Sequence, residues 1–221
     1  QIFSQNVDVS TDNWPYLYMR NKTIPKNYLI TLLMIFIMSA VFVLIALPKT
    51  NKINGHFFFL GSAFMLVETK SITELALLFG STWFVNSVVI AAILTMILLA
   101  NLYALKFTRR RIEIFYIFLF GMLVFNYFVS MQEILKENFL IQILLSSFII
   151  SVPLFFAAII FAYSFKKTQN IPAAFGSNLI GAVLGGLFEY SSLALGLKSL
   201  YILAFIMYLL SFVFLRFRLK A

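Results

Sequence analysis

Hydrophobic residues occur along this chain in seven long runs, separated by short polar or charged segments. The runs cover residues 28–47, 57–80, 83–106, 113–129, 139–164, 175–196 and 199–215. A helix needs about 20 apolar residues to cross a bilayer, and most of the runs approach or exceed that length. The pattern predicts an all-α membrane protein, a polytopic bundle of about seven transmembrane or membrane-embedded helices over residues 27–221. A polar, interfacial lead-in segment at residues 1–26 precedes the bundle.

Composition agrees with this pattern and narrows the chemistry. The chain is 62% hydrophobic and 11% charged, whereas a soluble domain has about 25% charged residues. It has no cysteine and one histidine, His56, so disulfides and metal sites built from Cys or clustered His are excluded. No glycine-rich phosphate loop or nucleophile motif occurs. We therefore expect no metal, no cofactor in this chain, and no recognisable catalytic motif.

The net charge of +9 does not indicate nucleic acid binding, because the basic residues do not alternate with aromatic residues on a soluble face. They lie mainly between the hydrophobic runs, which is typical of loops that set membrane orientation. The expected partner is the lipid bilayer. Nothing in the sequence indicates an oligomeric state.

Three charged residues interrupt the run 57–80. Lys70 and Glu74 are four residues apart, so they can form an ion pair on one helix face, whereas Glu68 points to a different face and needs a partner elsewhere. A charge at bilayer depth costs about 2.5–3.5 kcal/mol even on lenient insertion scales. The three residues could lock helices together, form a substrate or proton site, or reach water at an interface, and the sequence leaves these alternatives open.

The run 175–196 has a stripe of small residues. Ser177, Gly181 and Gly185 are spaced by four, a pattern that lets membrane helices approach closely, and Gly186 widens the predicted groove. We expect this face to pack against another helix.

Glu189 lies near the end of the same run and is followed by Tyr190. Its predicted partner is Lys70, or a hydrogen bond to Asn86 or Asn101. The alternative is a packing helix in which Glu189 bonds only to neighbouring backbone and hydroxyl groups.

Single asparagines in apolar helices usually form hydrogen bonds between helices. We expect this role for Asn86, Asn101, Asn126 and Asn178. The candidate substrate-binding residues are the charged and tyrosine side chains Glu68, Lys70, Glu74, Glu189 and Tyr190.

Lysine and arginine residues set the predicted orientation. If all seven runs cross, eleven basic residues collect on one side and five on the other. If the run 57–80 dips in and returns, the division is twelve and four, so the count does not decide between the two arrangements. Both place the Arg109–Arg111 loop and the C-terminus in the cytoplasm and differ in the side of residues 1–26.

Three segments carry a family resemblance. FFFLGSAFMLVETKSITELALLFGSTWFVNSVVIAAILTMILLANLYAL at 57–105, TDNWPYLYMRNKTIPKNYL at 11–29 and FGSNLIGAVLGGLFEYSSLALGLKSLY at 175–201 resemble bacterial integral membrane proteins that carry a spermidine-synthase-like, SAM-dependent methyltransferase-like domain. The resemblance implies a multi-pass domain of the bacterial cytoplasmic membrane, preceded by a soluble Rossmann-type domain or joined to a partner subunit. The glycine loop of that soluble domain has no counterpart here, so this chain alone should not bind SAM.

The leading functional hypothesis is a membrane domain that anchors such a catalytic domain and presents an amphiphilic or cationic substrate to it, with Glu68 and Glu189 at an intramembrane site. One alternative is a carrier-like transport module in which Glu68 exchanges protons. Another is a structural subunit of a membrane complex.

Overall fold

The computed structural model of this chain describes residues 8–46, 53–106, 112–129 and 138–220. Within these ranges no strand occurs, and an isolated backbone bridge joins Thr11 and Trp14. The helices are α1 Lys26–Ala46, α2 Gly55–Phe79, α3 Trp83–Lys106, α4 Ile112–Phe128, α5 Phe139–Lys166, α6 Ile171–Glu189, α7 Ser192–Leu195 and α8 Ser199–Lys220. Each predicted run contains one long helix, which confirms the all-α prediction. The Arg109–Arg111 loop lies outside the described residues.

Four segments of the described chain are long and apolar enough to cross a membrane. They are Trp83–Lys106, Phe139–Lys166, Ile171–Leu195 and Ser199–Phe217. Lys26–Phe42 and Ile112–Phe128 are shorter apolar helical segments. Helix α2 is not in either group, since it carries Glu68, Lys70 and Glu74.

Helix α2 lies at the centre of the bundle. It packs most extensively against α6 and α8, and also against α5 and α3. Its side chains Phe57, Leu60, Leu66 and Leu75 are fully buried. Because other helices surround it, the polar side chains of α2 meet protein groups on several sides.

The contact between α2 and α6 brings the two backbones together. A Cβ atom at Gly181 would overlap the carbonyl oxygen of Phe58, and one at Gly185 would overlap that of Ser62. On the facing helix, a Cβ atom at Gly61 would overlap the backbone of Asn178. Glycine is therefore required at these positions by the lack of space, as in other closely packed membrane helices.

Helices α2 and α8 run antiparallel. Near the start of α2, His56 contacts Ser211 in the second half of α8, and further along α2 Lys70 contacts Tyr201 near the start of α8. We call the end with Lys70 and Tyr201 the lead-in end, because residues 8–25 lie there, and the end with His56 and Ser211 the far end. At the far end Arg216 of α8 forms a 3.4 Å ion pair with Glu113 of α4.

The predicted run 175–196 is not one continuous helix. Helix α6 begins earlier, at Ile171, where the Asn170 side chain accepts a hydrogen bond from the backbone N–H of Ala173. The helix ends at Glu189, and the single turn α7 follows before Gly196, which has a φ of +85°. A positive φ strongly favours glycine, so Gly196 allows the chain to reverse into α8.

Candidate functional site

The Lys70 ammonium group is held inside the protein by two neighbours. Lys70 is 3% exposed and forms an ion pair with Glu74 on the next turn of α2. Its Nζ atom also lies 4.1 Å from the centroid of the Tyr201 ring on α8, a favourable cation–π position. The ion pair has the geometry that the four-residue spacing predicts, whereas the tyrosine comes from a distant part of the sequence.

Beside this pair lies a cavity of about 400 Å³ at the lead-in end. Helix α2, the residue after α4, the turn before α8 and the lead-in segment all contribute to its wall. The lining residues are Ser10, Thr11, Asp12, Asn13, Pro15, Lys70, Glu74, Leu77, Leu78, Val129, Leu197 and Lys198. The cavity therefore combines charged and hydroxyl groups with leucine and valine side chains.

An apolar groove of about 350 Å³ lies between α4 and α8. Its lining residues are Leu123, Val124, Tyr127, Phe128, Tyr201, Ile202 and Phe205. Two lysines of the cavity lie near tyrosine rings of the groove. The Lys70 ammonium lies over Tyr201, and the Lys198 ammonium lies 5.9 Å from the Tyr127 ring centroid. The groove therefore lies beside the cavity.

The lead-in segment forms one wall of the cavity and is fixed to the turn before α8. The backbone oxygen of Asn13 accepts a 2.7 Å hydrogen bond from Leu197 N, and its Oδ1 accepts a 2.8 Å bond from Lys198 N. The indole of Trp14 is 2% exposed and donates from Nε1 to the Leu193 carbonyl at 2.6 Å. A Cβ atom at Gly196 would lie 2.5 Å from Asn13 Nδ2, so this glycine also makes room for the segment.

Tyr16 adds a third attachment of the lead-in segment. Its hydroxyl forms a hydrogen bond with Ser192 Oγ of α7. Burial raises the pKa of Tyr16, the Ser192 bond offsets part of that rise, and the nearby Tyr18 and Glu189 raise it further. The hydroxyl therefore stays protonated over the physiological range and remains able to donate a hydrogen bond.

The other predicted acidic residues lie away from the cavity. Glu68 is half-buried on α2, within electrostatic range of the buried Tyr208. Glu189 is half-buried at the end of α6, near Tyr16. Among the described residues neither carboxylate forms an ion pair, and neither lines the cavity.

The expected partnership of Glu189 with Lys70 is wrong. The Lys70 ammonium pairs with Glu74 and lies over the Tyr201 ring, so its charge is balanced without Glu189. Tyr190 is exposed and makes an edge-to-face contact with Tyr28 of α1, with 6.1 Å between ring centroids.

The predicted packing and asparagine residues fall into two groups. Ser177 is fully buried and its Oγ accepts a 2.8 Å hydrogen bond from Asn54 N, while Asn178 donates at 3.2 Å to the Phe57 carbonyl across the α2–α6 contact. By contrast, a Cβ atom at Gly186 would meet nothing within 4 Å, so this glycine does not belong to that contact.

Helix α3 carries Asn86 and Asn101. Asn86 is half-buried near the start of α3, and Asn101 is exposed near its end, which argues against its expected hydrogen bond to Glu189. Asn126 of α4 has the expected bond between helices, since it is 3% exposed and donates to the Ile149 carbonyl of α5 at 3.5 Å.

A second polar cluster lies at the far end. His56 Nδ1 lies 2.9 Å from Ser211 Oγ and 3.1 Å from Ser211 O, and the Tyr116 hydroxyl lies 2.9 Å from the same Oγ. His56 is 2% exposed. The cluster joins α2, α4 and α8 within the protein.

Sequence reasoning missed Tyr127, Lys198 and Tyr201, which complete the cavity and the groove. Lys198 directly precedes α8 and Tyr201 lies in its first turn, and a spacing of three residues places side chains on one face when the chain is helical. That spacing was the available signal, but it does not identify α2 and the lead-in segment as the facing elements.

No group of three or more His, Cys, Asp or Glu side chains that could hold a metal ion occurs in the described part of the chain. Comparison with protein-family models, with curated proteins and with solved structures finds no match. The geometry of the cavity and the groove is therefore the basis for assigning a function.

Proposed function

We propose that this chain is a multi-pass membrane domain that holds an amphiphilic molecule at the lead-in end of its bundle. The headgroup occupies the polar cavity and the hydrocarbon tail occupies the groove. One observation carries the proposal: a cavity lined by charged side chains lies next to an apolar groove between α4 and α8. Ligand sites commonly combine an apolar lining with a few polar groups that fix orientation.

The order of residues along α4 and α8 supports this head-and-tail arrangement. Leu197 and Lys198 line the cavity, and Tyr201, Ile202 and Phe205 follow along the groove. Val129, which directly follows α4, lines the cavity, and Phe128 at the end of α4 lines the groove. A molecule with a polar and an apolar part would contact both neighbouring regions.

Apolar helices and their exposed side chains support the membrane setting. Four described segments have the length and hydropathy to cross a bilayer. Helix α1 exposes large apolar side chains along its length, including Leu33, Ile37 and Phe42. Soluble monomers rarely expose continuous apolar surfaces of this kind, whereas lipid tails would cover them.

The proposed role in a larger protein follows from the family resemblance. We infer that this domain anchors a synthase-like or methyltransferase-like domain in a bacterial cytoplasmic membrane and presents the bound amphiphile to it. The cavity lies beside the lead-in segment, which resembles the passage that follows the soluble domain in that family. This position would bring the headgroup close to an attached catalytic domain.

Binding of single-chain amphiphiles to the purified chain in an amphipathic polymer belt, free of added lipid, tests the proposal. A dodecyl amphiphile should raise the unfolding temperature saturably, because a ligand that binds only the folded state stabilises it. Ile202→Trp, which fills the groove, should weaken binding by about tenfold or more through lost tail contacts.

The matched control is Ile206→Trp. Ile206 is exposed on α8, as Ile202 is, but it does not line the groove, so this variant should bind as the original chain does. Absence of saturable binding by any amphiphile, or equal binding by the Ile202→Trp and Ile206→Trp variants, would contradict the proposal.

A further inference from the structure

A line of buried polar side chains lies inside the bundle where α2, α4 and α8 meet. Tyr208 and Ser211 are three residues apart on α8, and both are fully buried. Tyr116 of α4 and His56 of α2 are 1% and 2% exposed. Polar and ionisable groups inside a membrane bundle are costly, and they often mark the route of an ion or a proton.

At the far end, hydrogen bonds join the members of this line. The Ser211 hydroxyl donates to the His56 carbonyl at 3.0 Å, and it lies 2.9 Å from both His56 Nδ1 and the Tyr116 hydroxyl. Glu113 lies three residues before Tyr116 on α4, where it pairs with the exposed Arg216. The line therefore comes within one helical turn of charged groups at the far-end surface.

The Tyr208 hydroxyl extends the line toward the middle of α2. Tyr208 is fully buried, and its hydroxyl makes no hydrogen bond with any of the described residues. The ionisable groups that act on it electrostatically are Tyr116 of α4 and Glu68 of α2. A buried hydroxyl without a protein partner usually binds an internal water molecule. Such a water would connect Tyr208 with Tyr116 on one side and with Glu68 on the other.

Glu68 lies between the buried line and the lead-in end. Lys70, which pairs with Glu74, lies two residues after Glu68 and lines the cavity, a separation of about 3 Å along the helix axis. The exposed Asp12 and Lys198 line the same cavity, so water at the lead-in end can enter it. Glu68 is itself only half-buried, which leaves its carboxyl group accessible from that side.

We propose that this line is a proton pathway between the lead-in end and the far end, formed by Glu68, Tyr208, Tyr116, Ser211 and His56. The Glu68 carboxylate takes up a proton on the cavity side and releases it toward Tyr208. Each following group accepts one proton and passes one on, so no group is changed after a passage and no cofactor is consumed. Carboxyl and imidazole groups are common members of proton relays. The pathway is independent of amphiphile binding.

Proton flux into liposomes that contain the purified chain and a trapped pH-sensitive dye tests this inference. A potassium gradient with valinomycin supplies the driving voltage. Vesicles with the original chain should acidify faster than protein-free vesicles. Tyr208→Phe should reduce the rate to the protein-free level, because it removes the hydroxyl and retains the ring. Glu68→Gln should have the same effect, because an amide does not take up and release a proton in this range of pH.

Thermal unfolding of the same variants separates a role in conduction from a role in packing. The Tyr208 hydroxyl has no hydrogen bond to a described protein group, so Tyr208→Phe should unfold at about the temperature of the original chain while it loses the flux. Tyr163→Phe is the matched control, because the Tyr163 hydroxyl on α5 contacts Lys167. This variant should conduct as the original chain does.

Several outcomes would overturn the inference. They are a flux no faster than in protein-free vesicles, an unchanged flux in either Tyr208→Phe or Glu68→Gln, and an equal loss of flux in Tyr163→Phe. If Tyr208→Phe lost both flux and stability, Glu68→Gln would decide, because we expect that change to have little effect on stability. Binding of amphiphiles is measured separately, so failure of the proton pathway leaves the proposed function standing.

Discussion

At the scale of single residues, the central feature is how neighbouring side chains balance the buried charge of Lys70. Lys70 is 3% exposed, and its neighbours Glu74 and Tyr201 supply an ion pair and a ring face. A buried pair contributes little net stability when formed, but removing one partner leaves an uncompensated charge. The effect of a substitution here therefore depends on whether one or both charges are removed.

Replacing Glu74 with Gln should lower the free energy of unfolding by about 3 kcal/mol, because the Lys70 ammonium stays buried without its carboxylate. The double variant Lys70→Met/Glu74→Leu should recover most of that loss. Denaturant or thermal unfolding in detergent micelles measures both variants.

The control for this prediction is Glu68→Gln. Glu68 lies on the same helix but forms no ion pair among the described residues, so its neutralisation should change stability by less than about 1 kcal/mol. Equal stability of Glu74→Gln and Glu68→Gln would show that the Lys70 ion pair does not matter for folding.

The residue pattern predicted only the local half of this site. The Lys70–Glu74 pair follows from the rise of a helix, since residues four apart are neighbours. Tyr201 lies in the first turn of α8 and Lys198 directly precedes that helix, so their positions depend on how α8 packs against α2. The spacing of residues within one hydrophobic run does not indicate which helix packs against it.

At the scale of helices, the close contact of α2 with α6 determines which glycines are essential. Ser177, Gly181 and Gly185 form one stripe at the four-residue spacing, and both glycines of this stripe face the backbone of α2. Gly186 follows Gly185 directly, so it lies about 100° further around the helix. The small-residue pattern identified the packing face but did not separate these two adjacent glycines.

Gly181→Ala should destabilise the fold by about 1–3 kcal/mol, because the added methyl group overlaps the Phe58 carbonyl and the helices must move apart. Gly186→Ala should be neutral or stabilising by up to about 1 kcal/mol, since its Cβ enters open space and alanine favours a helix. Thermal unfolding of the two variants under identical conditions makes the comparison.

An equal loss of stability in both alanine variants would contradict the observed α2–α6 contact, because it would indicate a general effect of the substitution.

The position of the lead-in segment was harder to predict from the sequence than the packing of this helix pair. The burial of Trp14 depends on the reversal of chain direction at Gly196. The polar sequence before the first hydrophobic run does not indicate which turn the lead-in segment contacts.

At the scale of the whole molecule, α2 passes from one end of the bundle to the other. Its contacts with Ser211 and Tyr201 lie at opposite ends of α8, so a helix that dips in and returns is not observed. The basic residues could not distinguish these arrangements because both gave similar totals. Since α2 runs the full length, the lead-in segment and the end of α8 lie at opposite ends.

The proposed membrane orientation can be tested with single cysteines, because the chain has none of its own. Leu17 and Phe217 are 85% and 68% exposed and lie at the lead-in end and the far end. A membrane-impermeant maleimide should label only one of Leu17→Cys and Phe217→Cys in intact cells and the other only after permeabilisation, because α2 carries the chain from one end of the bundle to the other.

Trp83→Cys is a further position at the lead-in end, at the start of α3, and should be labelled as Leu17→Cys is. Labelling of Leu17→Cys and Phe217→Cys from the same side would contradict the crossing arrangement of α2.

The central position of α2 has a consequence for the order in which this protein can be made. Helix α2 leaves the ribosome before α6 and α8, yet three charged side chains make it a poor candidate for independent insertion into lipid. Its most extensive contacts are with α6 and α8. We therefore expect α2 to remain in a sheltered or partly inserted state until those two helices have been synthesised.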